Sequence, residues 1–467
     1  MLAARLVGVL VMAVGFVVLA RLLTPADFGV FALVFAGFGV AHVLTEFGMR
    51  EFALRKHRAL PRQAVATAAL VSMVMALVGA TLLVGVPRLL PSDMVPPGLE
   101  VAVLPAALAL FMEPMILQRE VNLHRAIAFD VPAAAAIGGI VAEVATSIAL
   151  AASGYGVLAL AWGLFAGQAG RALILLSLSR GGPIARPGIQ ENGGLIRFGA
   201  TLTGVRLLPK LADVLMVTAL TIASGAAAAG IFNRAQRLNK LLDQTIFDGL
   251  QPVILPAFAT SLRDGMDPAA MIAAKMCRLL PVIVPGFLGI ILLAEPLVAV
   301  LLGPGWDAAV PALRILAFGG LAGPVTMMAV KVFTALDRVD VYGRIQLIAL
   351  AATVLMAVMG ATISLEAFCA GIAAGLWLKA GLIMHWHCHH VGLTEASSQL
   401  HVRAAMLATA AALLGPALLL LTGLSPLPLL MSSAVTALVG WLAVLKALRH
   451  PLWTDFGPAL RGFRPSR

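Results

Sequence analysis

Stretches of about 20 apolar residues, each long enough to cross a hydrocarbon core of roughly 30 Å, recur along the whole chain with only short polar breaks. Hydrocarbon offers the backbone no hydrogen-bond partner, so such stretches fold as helices that pair their own N–H and C=O groups. About fourteen can be placed, the first over residues 2–22 and the last over 427–448, and no segment is left for a soluble domain. The expected fold class is therefore an all-α integral membrane protein. Composition agrees, with 61% of the 467 residues hydrophobic and 12% charged, where a soluble chain would have roughly a quarter charged.

The net charge of +11 suggests nucleic acid until the cations are placed on this frame. About 22 of the 33 Lys and Arg fall at one set of alternate loops and only Arg21, Arg88 and Arg314 at the other. That asymmetry predicts an even number of crossings with both termini cytoplasmic, and it removes the case for a nucleic-acid partner. The first segment has the shape of a secretory signal, but no A-x-A-like cleavage site comes after it. Instead, Thr24-Pro25-Ala26-Asp27 reads as a helix start in which Thr24 caps, Pro25 takes the first helical position and Asp27 sets an anion in the first turn.

An internal echo predicts two related bundles. Gly29-Val30-Phe31 enters the second segment and Gly230-Ile231-Phe232 the eighth, equivalent places if helices 1–6 and 7–12 are repeats, as is common in transporters. The expected division is 1–180, 181–395 and a pair of appended helices in 396–467, with the two six-helix lobes around a central cavity.

An ionisable group at the bilayer centre costs at least ~2.5–3.5 kcal/mol, so it faces a partner or a water-filled path. On the seventh segment, residues 198–222, Arg206, Lys210 and Asp213 fall within about 60° on a 3.6-residue helix. On the eighth, residues 228–256, the same arithmetic aligns Asn233, Arg237, Lys240, Gln244, Asp248 and Gln251. Cations outnumber acids there, which points to a cavity for an anionic headgroup, Arg giving forked contacts to phosphate and Lys a point charge. The bland reading is that acids such as Asp213 and Asp243 pair these cations structurally. Lys331, Arg171 and Lys379 are further intramembrane cations, and Glu46, Glu113 and Glu143 further acids that would pair an Arg or relay protons. The run His385-Trp386-His387-Cys388-His389-His390 lacks a second ligand group, and the three cysteines fit no paired zinc site, so no metal is expected. There is no P-loop, GxSxG or HExxH, and the outward loops are short, so the chain is expected to carry a substrate without making bonds and to need no cofactor.

Several motifs then coincide. Ala20 to Leu33, ARLLTPADFGVFAL, resembles the strongest signature of Wzx-type polysaccharide flippases, and Glu46-Phe47-Gly48-Met49 resembles the next step of that pattern. Gly154 to Leu160, Arg197-Phe198-Gly199, Gly230 to Ala235, Leu255 to Phe258 and Leu302 to Trp306 resemble later blocks of the same family in order, with Thr218 standing where a small residue is usual. The resemblance implies the fold of the multidrug/oligosaccharidyl-lipid/polysaccharide superfamily and an undecaprenyl-diphosphate-linked oligosaccharide as substrate. That substrate would move from the cytoplasmic to the periplasmic leaflet for exopolysaccharide or lipopolysaccharide biosynthesis, in company with glycan polymerisation and export proteins and membrane lipids. The diphosphate would dock on Arg206, Lys210, Arg234, Arg237 and Lys240, with Arg21 and Arg50 at the two ends of the second helix as exit and entry cations and the polyprenyl tail left in lipid. Rival readings are a multidrug cation antiporter, whose cavity should carry acids, and a lipid II flippase. From other classes come a membrane glycan polymerase or ligase, and a scaffold that would need no charged stripes at midplane.

Overall fold

The computed structural model describes residues 2–55, 62–92, 94–125, 128, 130–178, 188, 193–263, 268–392 and 395–453. Their side chains are described except at 2–6, 53–55, 62, 124–125, 241–263, 268, 273–275, 331, 335 and 395–402. The described residues form helices throughout: α1 (Leu2–Leu22), α2 (Pro25–Glu46), α3 (Met49–Arg55), α4 (Arg62–Leu89), α5 (Leu99–Leu110), α6 (Glu113–Arg125), α7 (Asp130–Ala152), α8 (Val157–Leu178) and α9 (Gly193–Arg263). They continue as α10 (Pro268–Leu301), α11 (Ala309–Gly320), α12 (Gly323–Ala335), α13 (Val339–Ala361), α14 (Leu365–His390), α15 (Glu395–Leu420) and α16 (Pro426–Ala447).

Among the described residues eleven stretches are long and apolar enough to span a membrane, or twelve with the bent pair α11 and α12 taken as one crossing. The stretch Gly193–Lys240 is counted once, yet its 48 residues would run about 72 Å as one helix, more than twice the hydrocarbon core. Gly225, with φ 85° and ψ 165°, breaks it into two limbs. Counting both limbs, together with α1, whose apolar part is Val7–Leu22, recovers the about fourteen crossings expected from hydropathy.

The chain falls into two compact units, Met1–Asn233 and Arg234–Arg467. In the first, the motif around Thr24 explains itself. The Thr24 hydroxyl accepts from the Asp27 N–H at 3.3 Å and the Asp27 carboxylate accepts from the Thr24 N–H at 2.9 Å, a reciprocal cap that fixes where α2 begins. One turn on, backbone meets backbone. A Cβ on Gly29 would lie 1.7 Å from the Ala226 carbonyl oxygen, and one on Gly230 would lie 1.8 Å from that of Pro25. The two glycines of the internal echo therefore face the same crossing from opposite sides, each admitting the other helix's backbone. Lipid supplies no hydrophobic drive between helices, so such close approach is what holds them. The α7–α8 pair repeats the device: a Cβ on Gly163 would meet the Ser147 hydroxyl at 1.8 Å, and one on Gly139 the Gly167 carbonyl at 2.8 Å.

In the second unit, α13 and α14 close on Gly360, Gly371 and Gly375 in the same way. Helix α10 carries Pro281, Pro285 and Pro296. Pro285 has no N–H for the Pro281 carbonyl, and the Trp441 indole N–H of α16 donates to that orphaned oxygen at 2.6 Å.

These contacts predict substitutions of opposite sign. Gly230→Ala puts a methyl into a carbonyl and should destabilise by about 1–3 kcal/mol. Gly343→Ala, in helix α13 with nothing within 4 Å of the new methyl, should stabilise by about 0.5–1 kcal/mol. Thermal unfolding in detergent, followed by loss of the monodisperse peak, should show the midpoint falling for the first variant and holding or rising for the second.

Candidate functional site

Most of the described intramembrane charges of the first unit form one chain. Arg171 of α8 binds Glu120 of α6 through two guanidinium nitrogens, one of them Nε at 3.0 Å. The other Glu120 oxygen lies 3.2 Å from Arg50 of α3, whose Nε is 3.4 Å from Glu46 of α2. The second Glu46 oxygen accepts from Arg206 of α9 at 3.2 Å, and Arg206 donates at 2.6 Å to Glu51 of α3. Positive and negative groups alternate from α8 to α9 across five helices. Glu120 is only 2% exposed, so its two arginine partners make its ionised form tenable there. Beside the chain, His42 of α2 lies 3.3 Å from Glu113 of α6, which is also 2% exposed.

Here the structure sorts the cations that the sequence grouped together. Arg206 is engaged by Glu46 and Glu51. Lys210 lies 3.8 Å from Asp213, a pair about half exposed, and such a pair contributes about 0–1 kcal/mol. The Lys210 stem runs over Gly39 of α2, its Cδ 3.5 Å from where a Cβ would be. Glu143 of α7 packs its Cβ against Gly167 of α8, and Arg21 is exposed at the end of α1. The side chains of Asp243 and Lys331 lie outside the described residues.

The second limb of α9 differs. It holds Arg234, Arg237 and Lys240, followed on the same helix by Asp243 and Asp248. Arg234 is 7% exposed, whereas Arg237 and Lys240 are exposed. Asn239, buried on the opposite side, donates to the Leu316 carbonyl at 3.4 Å and orients the limb within its own unit. A charge on a membrane-crossing limb needs water or a counter-charge beside it, because hydrocarbon would reject it. Elsewhere in this unit, Lys379 lies 5.6 Å from the Tyr342 ring centre, and the His385–His390 run packs into itself and α12, with His387 on Phe333 and Trp386 stacked on His390 at 4.9 Å.

Sequence reasoning missed Glu51, Glu120 and His42. The apolar run ending at Leu117 gives way to Gln118, Arg119 and Glu120, yet α6 runs on to Arg125. Glu113 and Glu120 are seven residues apart on that helix, hence on one face, and that spacing was the available signal.

Residues 18–311, well over half of the chain, match the family described as polysaccharide biosynthesis protein. The lipopolysaccharide biosynthesis protein WzxC of Escherichia coli (strain K12) is 26% identical over 166 residues, 34% of this chain and 34% of its own length. The succinoglycan biosynthesis transport protein ExoT of Rhizobium meliloti (strain 1021) is 26% identical over 173 residues, 37% of this chain and 35% of its own length. The chain thus spans about a third of the length of these curated relatives. Among solved structures, the lipid II flippase MurJ in an inward closed conformation superposes with a TM-score of 0.77 at 11% identity, covering 96% of this chain and 98% of that one. At that identity the likeness is one of fold. With the fold, the ordered motifs and the match over residues 18–311 in agreement, the chain belongs to the polysaccharide biosynthesis protein family.

Proposed function

We propose that the chain is a flippase that moves an undecaprenyl-diphosphate-linked oligosaccharide from the cytoplasmic to the periplasmic leaflet of the bacterial inner membrane by alternating access, without catalysing a reaction and with both termini cytoplasmic. The observation that carries this reading is the run of three cations, Arg234, Arg237 and Lys240, on a membrane-crossing stretch of α9, with Arg237 and Lys240 exposed. The diphosphate is the part of such a substrate most costly to take through hydrocarbon. Arg237 would hold it by forked hydrogen bonds and Lys240 by charge, with the buried Arg234 adding positive charge three residues before Arg237. Arg206 and Lys210, the other two cations proposed for the diphosphate, are engaged in the first unit by Glu46, Glu51 and Asp213.

A multidrug cation antiporter would need the opposite charge on an exposed limb. A lipid II flippase shares the chemistry of the headgroup, so only the cell distinguishes it. Glycan polymerases and export proteins are the expected companions of the transported repeat.

The test is a deletion strain complemented by wild type or by Arg237→Ala with Lys240→Ala. Lipid-linked repeats should accumulate in the cytoplasmic leaflet of the deletion strain, and wild type alone should clear them. The double variant should reach the membrane at normal level and export less than about a tenth of the glycan, a loss of roughly 1.4 kcal/mol or more. Unchanged export on deletion overturns the reading; altered drug resistance in its place points to the antiporter, and arrested growth with normal glycan points to lipid II.

The charge chain predicts a different phenotype for a structural residue. Glu120→Gln leaves Arg50 and Arg171 sharing no acid and should cost about 3–5 kcal/mol. It should appear as lost protein in a membrane immunoblot, with partial recovery when Arg171→Gln is added.

A further inference from the structure

The acids inside the first unit are not held alike. Glu113 and Glu120 are each 2% exposed and lie about two turns apart on α6. Glu120 meets Arg50 and Arg171, whereas Glu113 has no arginine within ion-pair distance among the described residues. Both Glu113 oxygens are buried and neither accepts a hydrogen bond there, although His42 Nε2 stands 3.3 Å from one of them. A buried carboxylate with unmet acceptors is costly as an anion. Protonation would replace one of those acceptors by an O–H donor for the imidazole.

The pair sits far inside the membrane-crossing stretches that carry it. His42 comes ten residues before Phe52, where its stretch ends, and Glu113 ten before Leu123, where its own ends, so each is about 15 Å along a helix from the nearer end. Glu113 opens α6 just after the break at Phe111 and Met112, and the partial positive charge of a helix's first turn keeps its ionised form attainable when the proton leaves. His42, with 31% of its side chain exposed, gives the proton its way in. The charged groups around the pair are Glu46 of α2, Arg50 of α3 and Arg171 of α8. Glu143 of α7 packs on α8 at Gly167, one turn before Arg171. Among described side chains α4 and α5 bring only Arg88 and Glu100, both beside the loop at 90–98.

Position on α2 links the pair to the charged stripe of α9. Gly39, His42 and Glu46 follow one another at three and four residues and so share a face. Gly39 carries the stem of Lys210 and Glu46 accepts from Arg206, which places His42 between the two contacts. A positive charge gained there lies one turn from Glu46 and competes with Arg206 for it. Resting on the flippase reading, we infer that His42 and Glu113 form a proton-binding site, and that loading it loosens Glu46 from Arg206 and readies Arg206 and Lys210 for an anionic headgroup. The proton comes from water and adds one positive charge whichever of the two residues holds it, because a coupled pair titrates as a unit. Proton and headgroup then bind better together than apart, each raising the other's affinity by the same factor.

The test uses the full chain in phosphatidylethanolamine and phosphatidylglycerol vesicles, with inorganic pyrophosphate as the probe. Infrared difference spectra between about pH 8 and about pH 5, the range in which an imidazole titrates, should show carboxyl and imidazole bands that Glu113→Gln and His42→Gln remove. Over that range the wild type should gain affinity for pyrophosphate relative to either variant as pH falls, approaching about tenfold per pH unit and levelling off once the pair is filled. His42→Gln alters a part-exposed side chain, so it carries the comparison even where Glu113→Gln fails to fold. Spectra without any band that the variants remove overturn the site, and equal pH slopes in wild type and variants overturn its coupling to the stripe. If the flippase reading itself is wrong, deletion leaves glycan export intact, a readout separate from the infrared bands.

Discussion

A guanidinium in hydrocarbon must share its charge with an acid or with water, and most of the first unit's interior obeys that requirement. Arg171, Arg50 and Arg206 sit on three different helices, and each is held by carboxylates from others. Because Glu46 and Glu120 each bridge two arginines, no pair can be moved without disturbing the next. The chain thereby ties α8, α6, α3, α2 and the first limb of α9 into one electrostatic unit, in a solvent where apolar contact alone distinguishes poorly between a neighbouring helix and lipid.

The second constraint is backbone proximity. At Gly29 and Gly230 the helices approach so closely that a single methyl would occupy the opposing carbonyl oxygen. Close approach of this kind gains dispersion over many atoms and has no counterpart in a helix facing lipid tails. It also explains why the glycine recurs in both copies of the motif: the crossing is reciprocal, so neither helix can accommodate a side chain there.

The sequence made much of this legible. Hydropathy fixed the number of crossings, because a 20-residue apolar run has few alternatives in a bilayer. Thr24 and Asp27 were readable as a cap, since capping depends on neighbours in the chain. The Gly29 and Gly230 echo was visible as a similarity, but that the two glycines face one another is a matter of tertiary approach that no local pattern encodes. The charge stripe was only half readable. Periodicity placed Arg206, Lys210 and Asp213 on one face, yet it could not show that Glu46 and Glu51, some 155 residues earlier, would claim Arg206. Glu120 was missed because α6 continues about two turns past the apolar run through a polar stretch that reads as a loop.

Helix α9 carries the argument from structure to function within a single element. Before Gly225, its charges have acids close by: Glu46 and Glu51 for Arg206, Asp213 for Lys210. After Gly225, residues 226–240 carry Arg234, Arg237 and Lys240, with Asp243 and Asp248 further along the same helix. Three cations within seven residues of a membrane-crossing helix are costly to keep there, and that cost is what the proposed diphosphate site would turn to use.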